Sequence, residues 1–297
     1  MTTLWILLTG MLVAASCSLV GCFLVLRKMA MIGDAISHSV LPGIVIAFLV
    51  SGSRDSLPML LGAAAIGLVT VFLIQLFHQG GVQSDAAIGV VFTALFSVGI
   101  VLVSAYTQHI DLDLDCVLYG EIAYVSWNTI EIAGIALGPK AVWGVGIALL
   151  LGVLCISLFY KQFKLCAFDP ALAAAIGIPV ALFHYLLMSL VSITTVASFE
   201  SVGAILVVGM LVVPPSTAYL LTERLGRMIV YSIALGCVSA VAGYYAASLL
   251  DASIAGCMIG VAGALFVLAL LFSPSHGVVW RRWRQRRLAE AHRLEAH

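Results

Sequence analysis

The chain has 297 residues, of which 63% are hydrophobic and only 9% are charged, and its formal net charge at pH 7 is zero. Soluble globular proteins carry roughly 25% charged residues. A chain of this length cannot bury so much apolar side chain in a water-soluble core. The composition therefore excludes a soluble enzyme or binding domain and predicts an all-α polytopic membrane protein with about eight to ten transmembrane helices.

Apolar segments of about 20 residues, the length that crosses a bilayer, recur along the chain. The first ends at Arg27-Lys28 and has no basic segment before it, so we interpret it as a retained span and not as a signal peptide. Only Phe199 and Glu200 separate the sixth segment from the seventh, which predicts a tight turn or one interrupted helix. The nine predicted spans are 4–26, 30–50, 58–77, 86–106, 141–160, 180–198, 201–221, 228–250 and 254–272.

Lysine and arginine set the predicted orientation, because they concentrate in cytoplasmic loops. With nine spans, 12 of the 14 basic residues fall on one side, and only Arg54 and Lys140 fall on the other. The transmembrane domain is therefore predicted over 1–275, followed by a basic cytoplasmic tail over 276–297, with the N-terminus outside. An extra short or re-entrant helix within 116–140 would reverse the N-terminal half.

The motif GDAISHSVLPG, at 33–43, lies inside the second span. Asp34 and His38 are four residues apart and share one helical face, with Ser37 beside them. At a rise of about 1.5 Å per residue, His38 lies roughly 12 Å into the membrane. Pro42 removes the hydrogen bond to the carbonyl of His38 and is expected to break the helix. The motif predicts residues of a transport path, or alternatively a polar pair that holds helices together.

The segment HIDLDLD, at 109–115, is expected outside the membrane. The alternation places three carboxylates on one side of an extended strand, near an imidazole. Oxygen and imidazole ligands suit divalent ions such as Mn(II) or Zn(II). We interpret His109, Asp111, Asp113 and Asp115 as an outer vestibule that attracts metal or docks a partner, or else as a solvated loop.

A short capped helix is predicted between the fifth and sixth spans, on the cytoplasmic side. Asp169 is a favourable N-cap, Pro170 suits the first helical position, and Gly177 and Pro179 end a helix over 171–176. The helix is either a rigid connector or a docking element for a soluble partner. The sequence contains no GxxxxGK[ST] motif, so we expect no ATP-binding P-loop in this chain.

A second interrupted helix is predicted where Pro214 and Pro215 occur in the seventh span. Pairs of interrupted hydrophobic segments indicate a substrate path in transporters. Glu200 is expected at the outer end of this region, where its carboxylate would gate cations. Asp85, just before the fourth span, is better explained as a helix N-cap.

Five motifs together resemble those of the manganese/zinc/iron metal-permease family of ABC importers, in the same order and over nearly the whole chain. They are GDAISHSVLPG, SDAAIGVVFTALFSVGIVLVS, DLDCVLYGEIAYVSW, FDPALAAAIGIP and VGAILVVGMLVVPPSTA. The resemblance implies a type II ABC importer permease, similar in fold to cobalamin and siderophore permeases. It also implies a bacterial cytoplasmic membrane, two permease subunits of the same or a homologous chain, cytoplasmic ABC ATPases and an extracytoplasmic metal-binding protein.

The resemblance also assigns individual residues. It places Asp34 and His38 in the signature motif of the translocation path. It identifies about 168–178 as the coupling helix that enters the ATPase cleft, with Phe168, Asp169, Pro170 and Gly177 in the matching motif. The family commonly has glutamine at the position of Glu200, so a gating role for Glu200 rests on its place in this sequence.

The predicted function is that of the permease subunit of an ATP-driven importer of a divalent transition-metal ion. Manganese is favoured because DCVLYGEIAYVSW resembles manganese-type members, and zinc and iron stay open. No permanently bound cofactor and no enzymatic activity of the permease itself are expected. The alternative is a self-contained secondary transporter that uses Asp34 and His38 with the proton gradient.

Overall fold

The computed structural model describes residues 2–52, 56–106, 122–127, 129–132 and 135–273. In this part of the chain the helices are α1 (Thr2–Leu26), α2 (Met31–Ser51), α3 (Ser56–Gln79), α4 (Ser84–Tyr106), α5 (Lys140–Leu158), α6 (Tyr160–Phe168), α7 (Pro170–Ala175), α8 (Val180–Val202), α9 (Ala204–Leu221), α10 (Leu225–Leu250) and α11 (Ile254–Phe272). A 3-10 helix (Ile122–Trp127) and two strands, β1 (Thr129–Ile132) and β2 (Ile135–Pro139), lie between α4 and α5.

Nine helices of the described chain are long and apolar enough to cross a bilayer, namely α1 to α5 and α8 to α11. This confirms the predicted spans. α1 is the most buried of them and packs against α5, α8, α9 and α10, whereas α4, α5 and α11 lie at the periphery. In a lipid solvent the apolar outer faces need no protein cover, so composition alone does not distinguish the central helix from the outer ones.

The two proline-containing helices continue past their prolines. α2 runs unbroken through Pro42, and α9 runs through Pro214 and Pro215. The expectation of interrupted helices was therefore wrong at both places. Proline removes one hydrogen bond per residue but its φ is compatible with a helix, and neighbouring helices can hold the segment in place.

The freed carbonyl beside Pro215 takes part in helix packing. Pro215 cannot donate to Leu211, and the carbonyl oxygen of Leu211 faces Gly21 of α1 so closely that a Cβ at residue 21 would lie 2.0 Å from it. Only glycine permits this approach of α1 to α9.

The break between α8 and α9 lies at Gly203, three residues beyond Glu200. The prediction placed it at Phe199-Glu200, but the helix continues through both residues to Val202. Gly203 has φ 80° and ψ 165°, a conformation that L side chains rarely adopt. The glycine therefore sets the position of the break.

The segment between α4 and α5 contains the only strands of the described chain. β1 and β2 form an antiparallel hairpin, with Ile132 opposite Ile135. At its end, Gly138 (φ 94°) lies against the ring of Trp5 at the start of α1. The expected all-α fold is confirmed, and this short hairpin is an addition to it that the sequence analysis did not predict. Neither the hairpin nor the six-residue 3-10 helix can cross a bilayer, so among the described residues nothing reverses the predicted topology.

α6 is a separate helix that the sequence did not reveal, because residues 159 and 160 were assigned to the preceding span. Its buried residue Phe163 contacts the rings of Phe23 in α1 and Phe183 in α8, with centroids 5.8 and 5.5 Å away. This aromatic cluster fixes α6, and with it the start of α7, against the helix bundle.

Candidate translocation site

α2 carries the conspicuous polar motif and is held by close backbone contact with α3. A Cβ at Gly43 would lie 2.5 Å from the carbonyl oxygen of Gly62, and a Cβ at Gly62 would lie 2.5 Å from that of Gly43. A hydrogen bond of 2.7 Å between the buried hydroxyls of Ser39 and Thr70 joins the same two helices. These contacts fix the rotation of α2 and hence the direction of its remaining polar side chains.

Asp34 and His38 form the pair that their spacing predicts. Nε2 of His38 lies 3.4 Å from Oδ1 of Asp34, and the two side chains are 34% and 33% exposed. The imidazole also packs against α4, with ring centroids 5.8 Å from Phe92 and 6.1 Å from Phe96. An acidic oxygen and an imidazole nitrogen are thus held side by side, able to bind each other or a divalent ion.

The pair lies on the one face of α2 that the rest of the protomer leaves partly uncovered. The partly exposed or exposed positions in the first half of the helix recur every three or four residues, at Met31, Asp34, His38, Leu41 and Ile44. Charged side chains within a spanning segment normally face protein or a water-filled cavity and not lipid. The geometry therefore calls for a further protein surface, or water, against this face.

The described residues supply no complete metal site. Among them no group of three or more histidine, cysteine, aspartate or glutamate side chains is close enough to hold an ion. Asp34 and His38 thus offer two protein ligands, and any others would come from water, another subunit or parts of the chain outside the described ranges.

Ser37 and Pro42 lie on the packed side of α2, away from the open face. Ser37 is buried, and its hydroxyl donates to the carbonyl of Gly33 at 3.0 Å. Pro42 is also buried and lies against α4, where a Cβ at Gly99 would be 2.8 Å from its Cδ. Pro42 lies one helical turn after His38 and has no backbone N–H, so the carbonyl of His38 lacks its usual helical hydrogen-bond donor. The structure therefore assigns both residues contacts within the helix bundle.

Glu200 is far from the pair along the bundle axis. Nη1 of Arg27, just before α2, lies 3.2 Å from Nδ1 of His184 in α8, so both helices start at the same end. Glu200 follows His184 by 16 residues, about 24 Å along a helix. The backbone of Glu200 therefore lies at the opposite end from the start of α2, and its side chain lies outside the described residues.

The predicted outer vestibule and the basic tail also lie outside the described residues. His109, Asp111, Asp113 and Asp115 fall between α4 and the 3-10 helix, and the tail follows Ser273.

The predicted capped helix is present as α7. Oδ1 of Asp169 accepts a hydrogen bond of 2.9 Å from the backbone N–H of Leu172, Pro170 begins the helix, and Gly177 has φ 85°. Large apolar side chains protrude here: Phe168, Leu172 and Ile176 are 55%, 48% and 62% exposed. Such an exposed apolar group on a connector is typical of a docking surface.

Sequence reasoning missed the partners of the predicted residues. The aromatic residues Phe92 and Phe96 occur in an apolar run, and nothing in their spacing indicates a contact with His38. The buried Ser39–Thr70 hydrogen bond was easier to predict from the sequence, because hydroxyl side chains in spanning segments often form hydrogen bonds between helices. The contact of Arg27 with His184 joins residues 157 positions apart, which no local pattern can reveal.

Comparisons with known proteins agree over nearly the whole chain. The sequence model of the ABC 3 transport family matches residues 1–273. The manganese transport system membrane protein MntD of Bacillus subtilis (strain 168) is 55% identical over 280 residues, covering 94% of this chain and 95% of that protein. The zinc transport system membrane protein TroD of Treponema pallidum (strain Nichols) is 41% identical, covering 94% of this chain and 76% of that protein.

A solved structure gives the same result for the fold. PsaBC from Streptococcus pneumoniae, in complex with Fab, is similar with a TM-score of 0.79 at 30% identity, covering 96% of this chain and 95% of that chain. The resemblance drawn from the five motifs is thereby confirmed. By the extent of the family match and the identity of its relatives, the chain belongs to the ABC 3 transport family.

Proposed function

We propose that this chain is the transmembrane permease subunit of an ATP-driven importer of a divalent transition-metal ion, with manganese as the favoured ion. Several relatives are named as manganese transport proteins, including MntD at 55% identity, and TroD is named as a zinc transport protein. An Asp–His pair suits Mn(II), Fe(II) and Zn(II), so the ion preference rests on the relatives.

The observation that carries this proposal is the partly open Asp34–His38 pair within a spanning helix. The two side chains are 3.4 Å apart and about one-third exposed. A pair used only to join helices would be expected to be buried between them, whereas this pair stays partly exposed even though its imidazole packs against α4. We infer that a second permease subunit, the same or a homologous chain, covers this face and that the ion passes between the two.

Asp34 and His38 act in this scheme as a ligand pair that also closes the path. Without an ion, the imidazole and the carboxylate bind each other. An ion delivered by an extracytoplasmic binding protein replaces that contact with two metal–ligand bonds, while Phe92 and Phe96 hold the imidazole in place. Reorientation of the helices then releases the ion to the other side.

The energy for reorientation enters through α7. The capped helix and the apolar side chains that protrude on it and beside it, Phe168, Leu172 and Ile176, suit a docking surface for a cytoplasmic ABC ATPase, which hydrolyses ATP as a separate subunit. In this proposal α7 and the C-terminal tail lie in the cytoplasm of a bacterial cell, and Glu200 lies near the outer surface, where it would attract cations. Pro42 and Ser37 position α2, and no permanently bound cofactor is required.

Reconstitution tests the proposal against a self-contained secondary transporter. Proteoliposomes containing the permease, its ATPase and the binding protein should accumulate Mn(II) only with ATP on the ATPase side. A protonophore should leave this uptake unchanged. Uptake by the permease alone, abolished by the protonophore, would favour the proton-coupled alternative and exclude the ABC mechanism.

A further inference from the structure

A cavity of about 760 Å³ opens at the end of the bundle where α7 lies, and Ile32 of α2, two residues before Asp34, is part of its lining. The connection between α1 and α2, the end of α3 and the starts of α4, α7 and α8 surround it. Its polar lining is basic or neutral and includes Arg27, Lys28, Gln75, His78 and His184. We call it the basic cavity.

Arg27 presents an uncompensated positive charge in the wall of this cavity. Its Nη1 contacts Nδ1 of His184, but Nε and Nη2 are buried without a hydrogen-bond partner. Burial lowers the pKa of the guanidinium, yet the ordinary value is so high that it stays charged. Leaving a buried charge without a counter-charge is strongly unfavourable.

His184 adds a further donor without an acceptor. A guanidinium can only donate hydrogen bonds, so Nδ1 of His184 must accept, and the neutral ring then carries its proton on Nε2. Nε2 of His184 is itself buried without a partner. Three donors on two adjacent side chains therefore lack an acceptor in the same wall.

The described chain supplies no carboxylate to meet them. No aspartate or glutamate lines the cavity, and the only ion pair among residues of the described ranges is Asp34–His38. Three acidic residues lie within two positions of a lining residue: Asp34 is paired with His38, Asp85 is exposed, and Asp169 caps α7 through its Oδ1. Water can accept hydrogen bonds here but cannot neutralise the charge.

We infer that the basic cavity binds an oxyanion of the phosphate class. A guanidinium binds phosphate oxygens through parallel N–H donors, and Lys28 adds a second positive charge in the lining of the same cavity. Neither Asp34 nor His38 lines the cavity, and the positive charges of Arg27 and Lys28 disfavour a divalent cation there, so the site is distinct from the proposed metal-ligand pair.

Two sources offer this chemistry, a free phosphate ion and the headgroup of an anionic lipid. The purified permease is placed in phosphatidylcholine nanodiscs, and its thermal midpoint is measured with added inorganic phosphate or with potassium chloride at equal ionic strength. A second preparation contains phosphatidylglycerol and is measured first without phosphate and then with added phosphate. A rise with phosphate alone indicates the free ion. A rise with phosphatidylglycerol, and no further rise with phosphate, indicates the headgroup.

Arg27→Gln should abolish whichever response the parent shows. Lys161→Gln is the matched control, since Lys161 is exposed on α6 outside the cavity and its loss changes the net charge equally. Should Arg27→Gln fold poorly, His184→Asn should still weaken the response, as the ring donor is removed. An identical response of Arg27→Gln and parent, or no response to either anion beyond that to chloride, would overturn the inference.

Discussion

At the scale of single residues, function depends on how the protomer treats the polar groups within its spans. Most are satisfied locally, as when Ser37 donates to the carbonyl of Gly33. Asp34 and His38 differ because they remain partly exposed and contact each other at a distance long for a charge-assisted bond. A loosely paired acid and imidazole can exchange their contact for a metal ion, whereas a tightly packed pair could not.

Asp34→Asn and His38→Gln should each reduce Mn(II) uptake by at least about tenfold, because each removes one of two adjacent ligands. Initial uptake rates in cells that express equal amounts of the variants provide the measurement. Asp85→Asn is the matched control, since Asp85 is an exposed carboxylate at the start of α4. Parental uptake rates in both variants would exclude the pair from the ion path.

At the scale of elements, close glycine contacts position the helix that carries the pair. Gly43→Ala should destabilise the permease by about 1–3 kcal/mol, because the new Cβ would lie 2.5 Å from the carbonyl oxygen of Gly62. The midpoint of thermal unfolding of the permease in detergent measures this loss of stability. Gly144→Ala in α5 is the control, since a Cβ there meets no atom within 4 Å. Equal midpoints for the two variants would contradict close α2–α3 packing.

α7 gives a second prediction at this scale. Asp169→Ala removes the side-chain cap, worth about 1 kcal/mol, and should weaken capture of the partner ATPase by the purified permease. Asp169→Asn should retain most of the capture, because asparagine caps a helix about as well as aspartate. If both variants capture the ATPase equally poorly, the negative charge and not the cap is what matters.

At the scale of the whole molecule, the proposed second subunit would cover the partly open face of α2 and α4. Thr93 is exposed on α4, the helix whose Phe92 and Phe96 contact His38. Thr93→Trp should therefore reduce the fraction of permease recovered as a pair of subunits, measured by size-exclusion chromatography with light scattering. Val153→Trp, on the exposed surface of α5, should leave the pair intact. A pair that survives Thr93→Trp would locate the subunit interface elsewhere.

The sequence by itself determined the nine spans, the Asp34–His38 pair, the capped helix α7 and the family. These features depend on local properties: apolar length, i to i+4 spacing on a helix, and the capping chemistry of Asp169, Pro170 and Gly177. Local sequence patterns gave the wrong prediction where packing against adjacent helices offsets the helix-breaking effect of proline. The sequence predicted breaks at Pro42, Pro214 and Pro215, yet α2 and α9 continue because adjacent helices support them.

Only the tertiary structure decided which faces are open and which distant residues meet. It buried Ser37 and Pro42, left Asp34 and His38 partly exposed beside α4, and brought Arg27 of the first connection to His184 of α8. In a membrane, apolar surface is stable against lipid and against protein alike, so hydrophobicity does not specify which side of a helix packs inward. Close glycine contacts and a few hydrogen bonds between helices determine which side packs inward. These contacts join residues that are far apart in the chain.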